Sequence, residues 1–453
     1  MDKDYSDRPV PERARKSTGS FWSLYAGEHT AGTEFMIGPL FLAAGVSAGD
    51  LILGLLAGNL LAVATWALLT APIALGWRLT LYRQLELIAG RRFVLFYNAA
   101  NGLLFCFLAG AMITVSATAV GMPFHMDMPA LDAALPTGVT WVVVVLAIGV
   151  LFTVFAAFGY DWVSRVAKVA APWMLVVFFA CGLVALPQLG VHRLGDFWRA
   201  ASTEIWRGGE PLVGQVKFTF WHVMSFAWFC NAAVHLGMGD LSILRFARHK
   251  SAGWAPAGGM FLGHYMAWIA ASLLYALQLR RDPANTAVLP GPMAFDALGL
   301  TGTLCVVIAG WTTANPTIYR AGLAFQAIVP RSSRFAVTCL AGAVATFAGL
   351  FPALAMKLLG FVCVYGTILA PIGAIIAVDH FWLRGGLAPD PLPVSPDGFS
   401  WRVAVPWLAS LALCAVPFFY GVFPSFLTLP AWLFCGAFFW LLTRVPAAVL
   451  RPS

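Results

Sequence analysis

At 453 residues, 60% hydrophobic and only 11% charged, with mean hydropathy +0.80, the chain departs far from soluble proteins, whose charged fraction is about 25%. This excludes a soluble enzyme or a nucleic-acid-binding domain and marks a polytopic membrane protein, because the net charge of +8 comes from basic residues spread over short loops. The eight cysteines lie in apolar stretches without a C-x-x-C pair, so neither a disulfide nor a zinc site is expected.

Residues 1–20 have no apolar core beside a small-residue cleavage site and read as a cytoplasmic tail, not a signal peptide. Apolar windows of about 20 residues then predict twelve spans, at 21–46, 50–76, 93–122, 138–157, 171–188, 216–238, 253–279, 298–319, 335–350, 354–378, 403–423 and 427–443. Most of the 28 basic residues fall on one side of this plan, among them Arg78, Arg165, Arg248, Arg320, Arg331 and Arg444, which predicts a cell-membrane protein with both termini cytoplasmic.

The first span contains YAGEHTAGTEFMIG, with Glu28, His29, Thr30, Thr33 and Glu34 set among Gly27 and Gly32. An unneutralised acid at mid-bilayer depth costs about 2.5 to 3.5 kcal/mol, so such residues usually face a protein-lined cavity. The pattern predicts a broken helix and a substrate or ion site. The competing reading has both acids snorkelling to the cytoplasmic mouth. Farther on, WRLTLYRQLELIAGRR interleaves apolar and charged residues, as expected of a short interfacial helix that braces the bundle. FHMDMPALDAALPTG reads as an exposed connector, PQLGVHRLGDFWRAASTEIWRGGEP as an interfacial loop, and the proline-rich LAPDPLPVSPDGFSWR as a cytoplasmic linker.

That linker (379–402) separates ten spans from a last pair at 403–443 and a tail at 444–453. Ten spans divide into two units of five, 21–188 and 216–378, joined by an outer loop at 189–215. Five is odd, so successive units lie in opposite orientation, the inverted-repeat plan of many secondary transporters. The first span of each unit is then the interrupted one. The sixth span, WHVMSFAWFCNAAVHLGMGD, places Asn231, His235 and Asp240 among glycines, so unwinding is expected near Gly27–Gly32 and near Asn231–Gly237.

The eighth span ends AGWTTANPTIYRAGLAFQAIVP, which resembles the WTT…Y…GL signature of the nucleobase:cation symporter family, in its cytosine/purine permease branch. GVSAGDLILGLLAGNLL, LRFARHK and PIGAIIAVDHFWLR resemble the family's second, sixth and tenth spans in the right order. The resemblance implies an all-α, leucine-transporter-like 5+5 inverted repeat plus two C-terminal spans. It also implies cation-coupled import of a nucleobase, hydantoin or related heterocycle, without enzymatic activity or an organic cofactor.

Carried over residue by residue, the resemblance implies a sodium site at Ala309, Thr312 and Thr313, which share one helix face. Asn315 and Thr317 fall where the family reads the heterocycle's polar edge, and Asn315 offers one acceptor and two donors. In the third span Asn101 stands near the base-reading position and Phe105 is a stacking ring, although the family has a glutamine and a tryptophan there. Trp228 is the stacking candidate of the sixth span. Its register has two solutions: anchoring on Arg245 brings His235 to the substrate, whereas anchoring on Asp240 brings Ala233. In the first span Gly27 and Glu28 complete the set, and Asp379 reads as a structural partner for loop basics. The coupling ion is Na+ on the threonine pattern, with H+ as the alternative through Glu28, His29 and His235. The partners expected are a small heterocycle, the ion and the lipid bilayer, with the chain a monomer. The alternatives are a symporter of another polar solute such as an amino acid, and a non-transporting membrane sensor on the same fold.

Overall fold

The computed structural model describes residues 5–126, 128–129, 133–136, 138–388 and 398–444. Much of the proline-rich linker, part of the connector after the third span and the ends of both tails therefore lie outside the described residues. Apart from two isolated bridges, the regular structure of the described residues is helical.

Among the described residues eight helices are long and apolar enough to cross a membrane: Ala48–Trp77, Arg91–Phe124, Val139–Ala157, Tyr160–Gln188, Lys250–Arg281, Cys363–Leu383, Trp401–Phe419 and Pro424–Arg444. Leu300–Ile328 and Arg334–Gly349 add the eighth and ninth passes. The first and sixth are broken, and in both the break falls where glycines and polar residues predict it. Span one is helical over Thr18–Glu28 and again over Glu34–Ala43. Span six is helical over Phe220–Phe229, runs as turns to Asp240, and resumes over Leu241–Leu244.

Side chains also reach back to carbonyls of the last turn before the first break. Thr30 Oγ1 donates to Ala26 O at 2.6 Å, and His29 Nδ1 lies 2.9 Å from Tyr25 O. In span six the chain turns through Met238, at φ 63°, and closes with Asp240 N donating to Val234 O at 2.9 Å.

Spans one, two, six and seven pack mutually, as do three, four, eight and nine. Small residues allow the close approach, as at Gly54 and Gly58 against the sixth span. The tightest such contact is Gly373 of span ten, where a Cβ would overlap the Leu236 carbonyl in the sixth-span break. That same carbonyl accepts from Trp432 Nε1 at 3.3 Å. Gly373→Ala is therefore expected to lower stability by about 1 to 3 kcal/mol through overpacking. Thermal unfolding of the full chain in detergent checks this, and an unchanged midpoint would mean the break does not rest on span ten.

The predicted brace is a helix, Leu81–Ala89, started by Thr80 Oγ1 accepting from Arg83 N at 3.1 Å. It is more buried than an interfacial helix: Tyr82 and Leu85 are enclosed, and Tyr82 Oη donates to Arg320 O at 3.2 Å. In the loop after span five Trp206 is also buried, donating to Ser272 Oγ at 2.8 Å, while Trp198 is exposed. Asp379 accepts from Arg384 Nε at 2.7 Å, the structural pairing anticipated for it.

Two span limits need correction. Span five begins at Tyr160, well before 171, and span eight runs on to Ile328, beyond 319. The second shift matters most, because Arg320 lies inside the helix at 1% exposure and is not a loop residue orienting the chain.

Candidate functional site

The two breaks face each other across a cavity of about 850 Å³, its mouth included, which is within the usual size of a small-molecule pocket. It is walled by spans one, three, six and eight, joined by seven and ten. Glu28, His29 and Glu34 enter from span one, Asn231 from six, Thr313 and Thr317 from eight. Apolar walls come from Phe105 and Met112 of span three and Phe226 of span six.

One end of the cavity is closed by charge. Arg320 Nη1 lies 2.5 Å from Glu28 Oε1, and Nη2 lies 3.2 Å from Glu28 Oε2 and 2.6 Å from Asp240 Oδ1. Asp240, fully buried, accepts on Oδ2 from Tyr25 Oη at 2.9 Å and from Trp66 Nε1 at 2.6 Å. A guanidinium presents a rigid fork of donors, which suits it to bridge two carboxylates where a lysine would not. The acids come from the two broken helices and the arginine from span eight. The snorkelling alternative for the acids fails, since Glu34 is 3% exposed and the Glu28 side chain 11%.

Above this cluster, span eight meets the first break. Thr312 Oγ1 lies 2.9 Å from Gly27 O, and Thr313 Oγ1 lies 2.8 Å from Glu28 O. Both hydroxyls are also within 3.1 Å of Ala309 O. Five oxygens, three carbonyl and two hydroxyl, thus converge. They form a hard, uncharged donor set of the kind that holds a small cation where helices unwind. Each hydroxyl donates to a carbonyl and keeps two acceptor lone pairs.

At the opposite end Glu34 accepts from Trp268 Nε1, and its Oε1 lies 3.7 Å from His264 Nε2. The His264 ring stacks on Trp268 at 4.4 Å and meets His29 at 4.9 Å.

Of the residues singled out from sequence, Glu28, Phe105, Thr313 and Thr317 line the cavity, and Gly27 contributes its carbonyl to the oxygen cluster. Four others stand off it. Asn101 is held by Tyr365 Oη and itself donates to Tyr82 Oη at 3.4 Å, a buried link between spans three and ten and the brace. Trp228 turns outward, donating to Thr65 Oγ1 at 3.2 Å and stacking on Phe229. His235 lies against the Trp66 ring with Nε2 2.9 Å from Trp228 O, and Ala233 lines the cavity instead. Asn315 is buried on another face of span eight than Thr313 and Thr317.

Sequence reading missed Arg320, His264 and Trp268. Arg320 follows Thr313 by seven positions and Thr317 by three, hence the same helix face, a signal that was present. His264 and Trp268 are four apart in an apolar span, and an ionisable residue there is itself a pointer to a site.

No protein-family model matches the chain, and no curated protein does. Solved structures do. The fold superposes on Mhp1, a nucleobase-cation-symport-1 family transporter, in a closed conformation with bromovinylhydantoin bound. The TM-score is 0.73 with 15% identity over 97% of this chain and 96% of that one. The inward-facing conformation of Mhp1 gives 0.64, with 16% identity over 99% and 97%. A Na+-coupled sialic acid symporter in its substrate-bound outward-open state gives 0.62, with 15% identity over 99% and 92%. At these identities the likeness establishes the fold, a leucine-transporter-like 5+5 inverted repeat with two further C-terminal spans in a multi-pass membrane protein.

Proposed function

We propose that this protein is a secondary active transporter that imports a small heterocyclic substrate by alternating access, coupled to sodium. The observation that carries the reading is the pair of opposed helix breaks around one cavity, with the Thr312 and Thr313 hydroxyls set against the freed Gly27 and Glu28 carbonyls. A passive pore needs no such pair. The Na+-coupled symporter and the hydantoin-bound Mhp1 among the neighbours support the reading.

In this mechanism the bundle of spans one, two, six and seven rocks against the rest around the substrate. Arg320 ties span eight to both broken helices of the bundle, and in this reading the tie closes the side of the cavity that carries Arg15 and Arg248. The higher likeness to the closed than to the inward-facing form of Mhp1 is consistent with a closed inner side. Proton coupling is the second reading, favoured by the Glu34–His264 contact inside the cavity.

A ligand screen by thermal shift tests the substrate class, because binding raises apparent stability by mass action. Purines, pyrimidines, hydantoins and amino acids are compared in sodium and in choline at fixed pH. Stabilisation by a heterocycle in sodium is expected. Stabilisation by amino acids alone would overturn the heterocycle assignment.

A further inference from the structure

We propose that Glu34 and the wall around it form the subsite that selects the substrate's charge. It takes a cationic edge with paired N–H donors, so the transported heterocycle is an organic base of amidine or guanidine type. This rests on the transport reading for its biological meaning but on the cavity alone for its chemistry.

Glu34 opens the second half of span one, where an acid suits the helix N-terminus. A carboxylate has about four acceptor sites, so its protein partners do not fill them all. Oε2 takes the Trp268 indole N–H, the Ala31 backbone lies against the carboxylate, and Oε1 lies 3.7 Å from His264 Nε2. Glu34 is a cavity wall residue, with Phe226 and Ile37 as apolar neighbours on that wall. Among the described residues that line the cavity the one arginine or lysine is Arg320, which is already bridged to Glu28 and Asp240.

Charge decides between substrate classes. A carboxylate-bearing substrate sets a second acid against Glu34 with only the His264 imidazole beside it, and reaches the Nη atoms of Arg320 only by displacing Glu28 or Asp240. Removing that partner from a buried pair is costly. A neutral imide edge offers the carboxylate one donor beside its carbonyls. An amidinium offers two parallel N–H groups and a compensating charge, the geometry that carboxylates bind most strongly. A flat ring behind that edge suits the aromatic and aliphatic walls.

Three planar compounds of the same shape separate these cases: benzamidine, benzamide and benzoate, titrated calorimetrically against the full chain in detergent with sodium present. The unaltered protein is expected to bind benzamidine about 10- to 100-fold more tightly than benzamide, and benzoate not measurably. Glu34→Gln, of the same shape, is expected to bring benzamidine down to the level of benzamide. Trp268→Phe removes the competing indole donor and is expected to keep the preference. Equal binding of benzamide or benzoate by the unaltered chain, absence of benzamidine binding, or an unchanged preference in Glu34→Gln would each overturn the proposal. Reconstituted vesicles keep the two readings apart. Benzamidine that binds with this preference yet is not carried across supports the subsite and counts against transport.

Discussion

Arg320→Met is expected to cost the protein about 3 to 5 kcal/mol, the range seen when one member of a buried ion pair is removed. The upper end is expected, because one guanidinium serves both Glu28 and Asp240 and its loss strands two enclosed carboxylates. Against a total stability of about 5 to 15 kcal/mol, such a loss is a large fraction of the whole. Methionine keeps much of the buried stem, so the effect isolates charge from packing. The triple variant Arg320→Met, Glu28→Gln, Asp240→Asn removes the stranded charges and is expected to recover most of the loss, since neutral replacement of a whole buried cluster is often tolerated. Between the single acids, Asp240→Asn is expected to be worse than Glu28→Gln, because Asp240 also holds Tyr25 and Trp66. Thermal unfolding of the four variants in detergent reads the order directly. An Arg320→Met protein that melts with the parent would mean that the three side chains do not meet.

Thr313→Ala is expected to weaken sodium about 5- to 150-fold, the equivalent of one lost buried polar contact of about 1 to 3 kcal/mol. Thr312→Ala should act similarly, since each hydroxyl stands against a different carbonyl of the first break. Either change also deletes a hydrogen bond of the sodium-free protein, so the midpoint without sodium is expected to fall a little as well. The informative quantity is therefore the stabilisation that sodium adds over choline at constant ionic strength, which follows the ratio of free ion to dissociation constant. A parent protein stabilised by sodium and a Thr313→Ala protein that needs far more of it is the expected pair. A stabilisation that ignores sodium but tracks pH, and that has the same size in Thr313→Ala, would transfer the coupling to protons.

Much of the scaffold was legible because it rests on strong local signals. Long apolar windows, an odd number of spans per repeat, and polar residues among glycines in the first span of each unit report backbone requirements that every such helix must meet. The breaks at His29 to Thr33 and Cys230 to Asp240 follow from those requirements. The threonine face was legible for a similar reason, since Ala309, Thr312 and Thr313 share a helix face whatever surrounds them.

Side-chain partners across the bundle were less accessible. Arg320 beside a span end looks like any orienting arginine until the helix is known to continue to Ile328. Asn101 and Trp228 have the right chemistry for a heterocycle, yet rotation of their helices turns them to Tyr365 and Thr65. Span six hid its register because turns do not keep the helical period: His235 and Ala233 are two apart, and only the packing of Asp240 on Tyr25 and Trp66 decides which faces the cavity.

Uptake against a gradient tests the central claim most directly. The full chain is reconstituted into vesicles loaded with choline, diluted into sodium at the same pH, and given the labelled heterocycle returned by the binding screen. The account predicts transient accumulation above the external concentration, collapsing when sodium is made equal on both sides. Entry that merely equilibrates and takes no notice of a sodium or proton gradient, or binding with no entry at all, would contradict a cation-coupled transporter.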